Sequence, residues 1–439
     1  MRKMIYRGEV FYFVASPTEN KQSYRYFEDG ALAVEDGKIL KAGPYQDVLA
    51  CFPEFIVKDF SGYLIMPGLI DTHIHFPQTE MVGMYGKQLL DWLSDYTFPT
   101  ERAFASQERA DEIARLFLME LFKNGTTTCS AYASVHPQSV NALFSAASAY
   151  NMCIMAGKVL MNRNCPEYLQ DTTVTGIEET RNLIEKWHEK GRNKYVITPR
   201  FAITSTFDQM EEAARLHKEY PTTYIQTHLS ENKGEIVSVK SLFPDSIDYL
   251  DVYEKAGLLT DRSIFAHCVH LTEREYKRLA EVGAVVAHCP TSNLFLGSGL
   301  YDMRKANEKG LRTTFATDVA GGTSFSMWKT MGESYKVQQL QGYSMNTLEM
   351  LYKSTLGSAK VLGLDGQIGS FAPFSDADFI VVDYQESVAQ RMRMDNLKKR
   401  GQANIENKLF GLQIMGDDRN TVATYIMGKE VYAKGPCKL

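Results

Sequence analysis

The stretch Pro67-Gly68-Leu69-Ile70-Asp71-Thr72-His73-Ile74-His75 carries two imidazoles at the end of an apolar run. Side chains at i and i+2 of a strand share a face, so His73 and His75 can aim at one ion while Ile74 turns away. Imidazole suits zinc or iron. Two unrelated polar residues at a strand end would look the same, so the pair gains meaning from further ligand-type residues downstream. His228, in Gln226-Thr227-His228-Leu229-Ser230-Glu231, offers a third imidazole. Glu231 comes where strand gives way to loop, and its carboxylate can turn back to move protons. Its plainer role is a helix N-terminal acid with Ser230 as the cap. Asp318, in Ala316-Thr317-Asp318-Val319-Ala320-Gly321-Gly322, supplies a carboxylate for the ion and the attacking water; alone, it would be a loop Asp before a glycine turn. His267 can hydrogen-bond that water. His288 divides between orienting the site and satisfying backbone groups. His188 and His217 fall on charged helical faces and read as solvated, while His136 and His270 read as loop residues. The chemistry these residues suit is hydrolysis, with a divalent ion lowering the pKa of water from about 15.7 to about 7. Three histidines plus one aspartate suggest five-coordination with water.

Such residues must be brought together by the fold. Eight β-rich runs alternate with helical patterns: Leu69–His73, Thr126–Ser130, Cys153–Leu160, Tyr195–Phe201, Tyr224–His228, Ser263–His267, Ala284–His288 and Arg312–Asp318. Between the first two, Ile113, Leu116, Phe117 and Leu121 repeat at helical spacing until Asn124-Gly125. The alternation also suits an open doubly wound sheet, but no Gly-rich phosphate loop follows the first run. Five of the runs end in His73, His228, His267, His288 or Asp318. Parallel barrel strands present their C-terminal ends to one face, where active sites form. The expected fold is therefore α/β: a (β/α)8 TIM barrel over residues 67–367. A small β-sandwich domain is expected from both chain ends, 1–66 and 368–439, where strand-like runs such as Asp378–Asp383 and Val422–Met427 appear.

Composition narrows the function. The 439 residues suffice for a barrel plus a small domain. A net charge of −5 argues against a nucleic-acid partner. The seven cysteines, at 51, 129, 153, 165, 268, 289 and 437, form no CxxC pair, which disfavours a disulfide framework or thiolate zinc site and fits a reducing, cytoplasmic setting. The PCxxC half of a cytidine-deaminase-type zinc site is absent. The start reads as a strand rather than a signal peptide, and no run reaches the ~18 apolar residues of a membrane span.

In order, PGLIDTHIH, HLSE, AHC, AHCPTSN and TDVAGG resemble the amidohydrolase superfamily. DTHIHFPQ, LLDWLSDYTFPTE, KNGTTT, GKVLMNRNCPEY, TPRFAIT, HLSENKGEI, SNLFLGSG and TLGSAKVLGLDGQIG resemble its guanine deaminase branch, so the likeness covers nearly the whole chain. It implies a zinc-dependent hydrolase, with iron as an alternative, that removes the 2-amino group of guanine to give xanthine and ammonia. His73, His75, His228 and Asp318 would bind the metal. Glu231 would carry a proton from water to the ring, and Asp318 and His267 would hold the new oxygen. Gln78, Arg200, Phe201 and Glu231 would contact the purine. No lysine ends the fourth run, where two-metal relatives hold a bridging lysine, so one metal per chain is expected. The resemblance also suggests a homodimer in purine catabolism. The alternatives are an 8-oxoguanine, adenosine-derivative or triazine deaminase, or a non-catalytic binding protein on the same fold.

Overall fold

The computed structural model describes residues 3–86 and 88–435; Cys437 lies outside the described residues. Eight parallel strands form one sheet in chain order: Leu69–His75, Thr126–Tyr132, Cys153–Gly157, Asn193–Pro199, Tyr224–Leu229, Ser263–His267, Val285–His288 and Arg312–Phe315. The third is interrupted at Lys158, after which Val159–Leu160 pairs with the fourth. All seven residues of the first strand are buried, as are those of the second. Burial on both faces explains why these strands read as near-continuous apolar runs rather than alternating ones.

The sheet closes into a barrel just beyond the eighth strand. Asp318 N donates to His73 O (2.9 Å), and His75 N donates to Val319 O (2.9 Å). Lower down, the Thr72 and Thr314 hydroxyls pair at 2.7 Å. Buried Asp71 completes the seam. Its Oδ1 accepts from Thr317 N (3.1 Å) and His73 N (3.3 Å), and its Oδ2 accepts from Thr317 Oγ1 (2.5 Å). Burial pushes this carboxyl up to about 6, against the pull of those bonds.

Helices cover the barrel. Helix Gln107–Lys123 starts where Ser106 accepts from Arg109 N and stops at Asn124, with Gly125 at positive φ. It buries Ala110, Ile113, Ala114, Phe117, Leu118 and Leu121. Leu116, expected on this face, is instead 45% exposed, because the adjacent alanines bring the buried stripe to its other side.

The chain ends share a seven-stranded sheet, ordered Lys429–Ala433, Thr421–Ile426, Phe379–Val382, Ile56–Pro67, Lys3–Phe13, Tyr24–Glu35 and Lys38–Pro44. The two ends meet where Phe379–Val382 runs antiparallel to Ile56–Pro67. Tyr6, Phe379 and Tyr425 form an aromatic cluster there, with Phe379 stacked on Tyr425 at 4.4 Å. Ile56–Pro67 passes straight into the first barrel strand through Gly68. A Cβ at Gly68 would lie 2.0 Å from Thr127 Oγ1, so only glycine allows this approach. Arg192 of the barrel pairs with Asp376 (2.9 Å) and Asp378 (2.5 Å), tying sheet to barrel.

Replacing Asp71 with Ala should strand the Thr317 donors and the His73 N–H at the seam. The expected cost is on the order of 3 kcal/mol, read as a lower urea midpoint. An unchanged midpoint would show that the seam does not depend on this carboxylate.

Candidate active site

The first, fifth and sixth strands carry His73 and His75, His228, and His267 to the C-terminal mouth of the barrel. Asp318 arrives from the turn three residues beyond the eighth strand, which ends at Phe315. Strands that stop abruptly at this mouth leave their last residues in unusual backbone conformations. Ser230 (φ 48°), His267 (φ 70°), Cys268 (φ 53°) and Asp318 (φ 51°) all occupy the left-handed region. Each costs on the order of 1–3 kcal/mol, and such strain gathers at sites whose side-chain direction matters more than local comfort.

The nitrogens and oxygens converge tightly. His73 Nε2 lies 3.1 Å and His75 Nε2 3.3 Å from Asp318 Oδ1, and His75 Nε2 lies 3.2 Å from His228 Nε2. Four ligands at zinc–ligand distances of 2.0–2.1 Å in a tetrahedron stand roughly 3.3 Å apart, so the set already has the spacing of a cation's ligands. His228 Nδ1 donates to Arg200 O (2.7 Å), which leaves the Nε2 lone pair facing the centre. Burial lowers the pKa of His73 and His228 and takes His75 down to about 3, so all three rings are neutral donors at pH 7. Burial alone would raise Asp318, but its bonds and charge interactions with His73, His75 and His267 outweigh it and hold the carboxyl well below its ordinary range. Three imidazole nitrogens within 4.8 Å of one another, with the Asp318 anion against two of them, fit a divalent ion.

Cys289 also approaches this centre, within 4.8 Å of ligand atoms of His73, His267 and Asp318, a neighbour that sequence spacing did not reveal. Burial pushes its thiol well above the ordinary range, and its S–H points to Ala287 O (3.3 Å), so it stays a thiol there.

Glu231 sits beside the cluster, fully buried. Burial, with the nearby Asp318 charge, pushes its carboxyl up to about 8. Oε1 accepts from Ser298 Oγ (3.0 Å), and Oε2 lies 3.4 Å from His267 Nε2. His267 in turn is oriented through Nδ1 by Asn293 Oδ1 (2.8 Å). Glu231 is not a helix-start acid capped by Ser230. Helix Lys233–Leu242 is capped by Asn232, and Glu235 at its third position closes a capping box and binds the Glu231 N–H (2.9 Å). That frees the Glu231 side chain for the cavity.

The opposite wall holds Gln78, Arg200 and Phe201. Gln78 Nε2 donates to Glu101 Oε1 (3.0 Å), and Arg200 Nη1 donates to both Glu101 oxygens (3.0 and 3.1 Å). Sequence reasoning did not single out Glu101. The available signal was a carboxylate closing the otherwise apolar Leu89, Trp92, Leu93 and Phe98 pattern. That segment is a continuous helix with a π turn at Leu93–Thr97, and Leu89, Trp92 and Leu93 roof the cavity.

The remaining histidines serve the scaffold. His288 does not line the cavity; it stacks on Tyr301 at 4.6 Å, and burial lowers its pKa to about 3. His217 is buried and bonds Thr223 (3.0 Å), and half-buried His188 bonds Thr222 (2.9 Å) and accepts from Tyr195 N (3.0 Å). Neither is the solvated residue expected from its helical pattern, because each packs back against a neighbouring strand's entry loop. His270 Nε2 donates to Ser298 O (2.7 Å), buttressing the residue that holds Glu231. Lys158 is buried in an ion pair with Asp171 (2.8 Å).

Residues 64–431 match the amidohydrolase family, and the chain belongs to it. It is also 48% identical over 422 residues to the guanine deaminase of Escherichia coli (strain K12), covering 96% of this chain and 95% of that protein. The solved E. coli guanine deaminase matches with a TM-score of 0.95 at 47% identity, over 98% of this chain and all (100%) of that one. A guanine deaminase from C. acetobutylicum with guanine bound in its active site matches with a TM-score of 0.86 at 29% identity, over 98% of this chain and 100% of that one.

Purified protein should carry a divalent ion, and His228→Ala should lower its affinity by at least about tenfold, measured by elemental analysis after dialysis against a weak chelator. Equal metal content in wild type and variant would remove His228 from the ligand set.

Proposed function

We propose that this chain catalyses the hydrolytic deamination of guanine to xanthine and ammonia, as a hydrolase of the C–N bond in a cyclic amidine. One observation carries the reading. A cation-shaped cluster with a proton-carrying carboxylate faces a donor, an acceptor and an aromatic ring across a single buried cavity. The likeness to guanine deaminases along almost the whole chain supports the same substrate.

A zinc ion, or iron in its place, held by His73, His75, His228 and Asp318 would supply the Lewis acidity that brings water into its nucleophilic form near neutral pH. Arg200 donates to the purine carbonyl oxygen, and the Gln78 amide pairs with the neighbouring ring edge. Phe201 packs on the ring face. Glu231 takes a proton from water and delivers it to the ring nitrogen beside C2, which makes C2 electrophilic. Ser298 steadies the carboxylate by occupying Oε1 and leaving Oε2 for this transfer. Asp318 and His267 hold the oxygen that forms at C2. The water's second proton then passes from the new hydroxyl to the 2-amino group, the C2–N bond breaks and ammonia leaves.

No helix among the described residues is long and apolar enough to cross a membrane. We place the enzyme in the cytoplasm as a homodimer serving purine catabolism. We divide the chain into a barrel of 67–367 and a small domain of 1–66 with 368–439.

Two measurements test the reading. Ammonia release compared across guanine, 8-oxoguanine, adenine and cytosine should favour guanine; preference for another base would replace the substrate. In metal-replete protein, Glu231→Gln should lower kcat by about 10²–10⁴-fold without loss of metal. Full turnover in that variant would take the proton transfer away from Glu231.

A further inference from the structure

Behind the substrate-facing wall lies a carboxylate to which the reaction scheme gives no part. Glu101 is fully buried and does not line the cavity, yet it touches Gln78 and Arg200, which do. We propose that Glu101 is a positioning residue that fixes which way the Gln78 amide faces, and so makes the site select a lactam edge, a ring carbonyl beside an N–H. The proposal rests on the guanine reading above and deepens it.

The argument is one of donors and acceptors. A carboxylate paired with a guanidinium can only accept hydrogen bonds. Gln78 lies 3.0 Å from Glu101 Oε1, so it must present its NH2 group there. Reversing the amide would set two acceptors against each other. At the other end of the amide, Ala320 N–H points at Gln78 Oε1 from 3.4 Å, and reversal would set two donors together. The orientation is therefore determined from both sides. With one N–H committed to Glu101 and Oε1 fixed at the other end of the amide, Gln78 keeps an acceptor lone pair for a ligand. Arg200 is fixed by the same carboxylate through Nη1, leaving Nε and Nη2 to donate. Phe98, three residues before Glu101 on the same short helix, lies 5.8 Å from the guanidinium and closes its other side.

The wall thus offers a donor next to an acceptor. Guanine presents the complement: O6 accepts and N1–H donates. A purine with an amino group at position 6 presents the reverse, a donating amino group beside an unprotonated N1. Buried polar groups that meet the wrong partner cost far more than a misfitting methyl group, and sites built this way reject the analogue by up to about 10⁴–10⁵. Glu101 reaches that edge only through Gln78 and Arg200, so removing its charge should loosen selection without touching the reacting atoms.

The test compares guanine with 2,6-diaminopurine, which shares the ring and the 2-amino leaving group and differs at the recognised edge. Kinetics are measured on zinc-loaded wild type, Glu101→Gln, Gln78→Ala and the double variant, each checked for metal content and urea midpoint. A neutral amide at 101 can donate as well as accept, so that side no longer opposes reversal and only the long 3.4 Å contact from Ala320 N–H still holds the Gln78 amide. Glu101→Gln should raise KM for guanine about tenfold or more with a much smaller change in kcat. It should also narrow the guanine preference in kcat/KM about tenfold or more. In the Gln78→Ala background the same change should narrow it clearly less, since only the Arg200 contact is left to carry its effect. Equal losses on both substrates would reduce Glu101 to a structural ion pair and overturn the proposal. An undiminished effect without Gln78 would overturn it too. Should Glu101→Gln not fold, Glu101→Asp, which keeps the charge and withdraws the carboxylate from Gln78, should narrow the preference in the same direction, and an unchanged preference there counts against it. Wild type that turns over no guanine would sink the guanine reading and this inference with it; wild type that does, with an unmoved preference, sinks this inference alone.

Discussion

Three neutral imidazoles and a carboxylate meet at hydrogen-bond distance with water largely excluded. Their ligand atoms crowd one point, and burial strips them of solvation. A cation at the centre turns each of those liabilities into an attraction, which is why the site's architecture is organised around a point rather than a surface. The strained backbone at Ser230, His267 and Asp318 belongs to the same constraint: the side chains are aimed first, and the loops accommodate.

The barrel answers the constraint economically in geometric terms. Parallel strands bring residues from 73 to 318 to one mouth, although hundreds of positions separate them in sequence. The seam decides whether they meet. Asp318 is held by a backbone bond to His73, and Asp71 clamps the preceding Thr317, so the carboxylate and the first two imidazoles are parts of a single locked joint. The terminal sheet is joined to the barrel at the opposite end of the first strand, through Gly68 and the Arg192 pairs.

On the facing wall the logic is different. No lone pairs are left opposed; donors and acceptors are matched in advance, with Glu101 engaging Gln78 and Arg200 together. On the function proposed above, one side of the cavity would be completed by a cation and the other by a flat ring with a polar edge. The two sides share a span because Gln78 follows His75 by one short turn, and because His228 is oriented by the carbonyl of Arg200 itself.

Much of this was legible in the amino-acid order. Ligand-type residues at the ends of apolar runs imply convergence, because strand periodicity and the polarity of a parallel barrel depend on local spacing alone. The eight runs, the HxH pair and the strand-end His228 and His267 come from that regularity. What spacing could not convey is contact between residues joined only through space. Leu116 lies on the wrong side of its helix by a fraction of a turn, His217 is buried by folding back on Thr223 in the loop after its own helix, and Ser230 yields the helix cap to Asn232 because of a capping box two residues on. Glu101 and Cys289 acquire neighbours only when the chain closes on itself. The linear order determined which chemistry could be assembled, through residue type and period. The tertiary structure alone decided which buried polar groups share partners, because hydrogen-bond pairing in a dry interior is settled by distances no local pattern encodes.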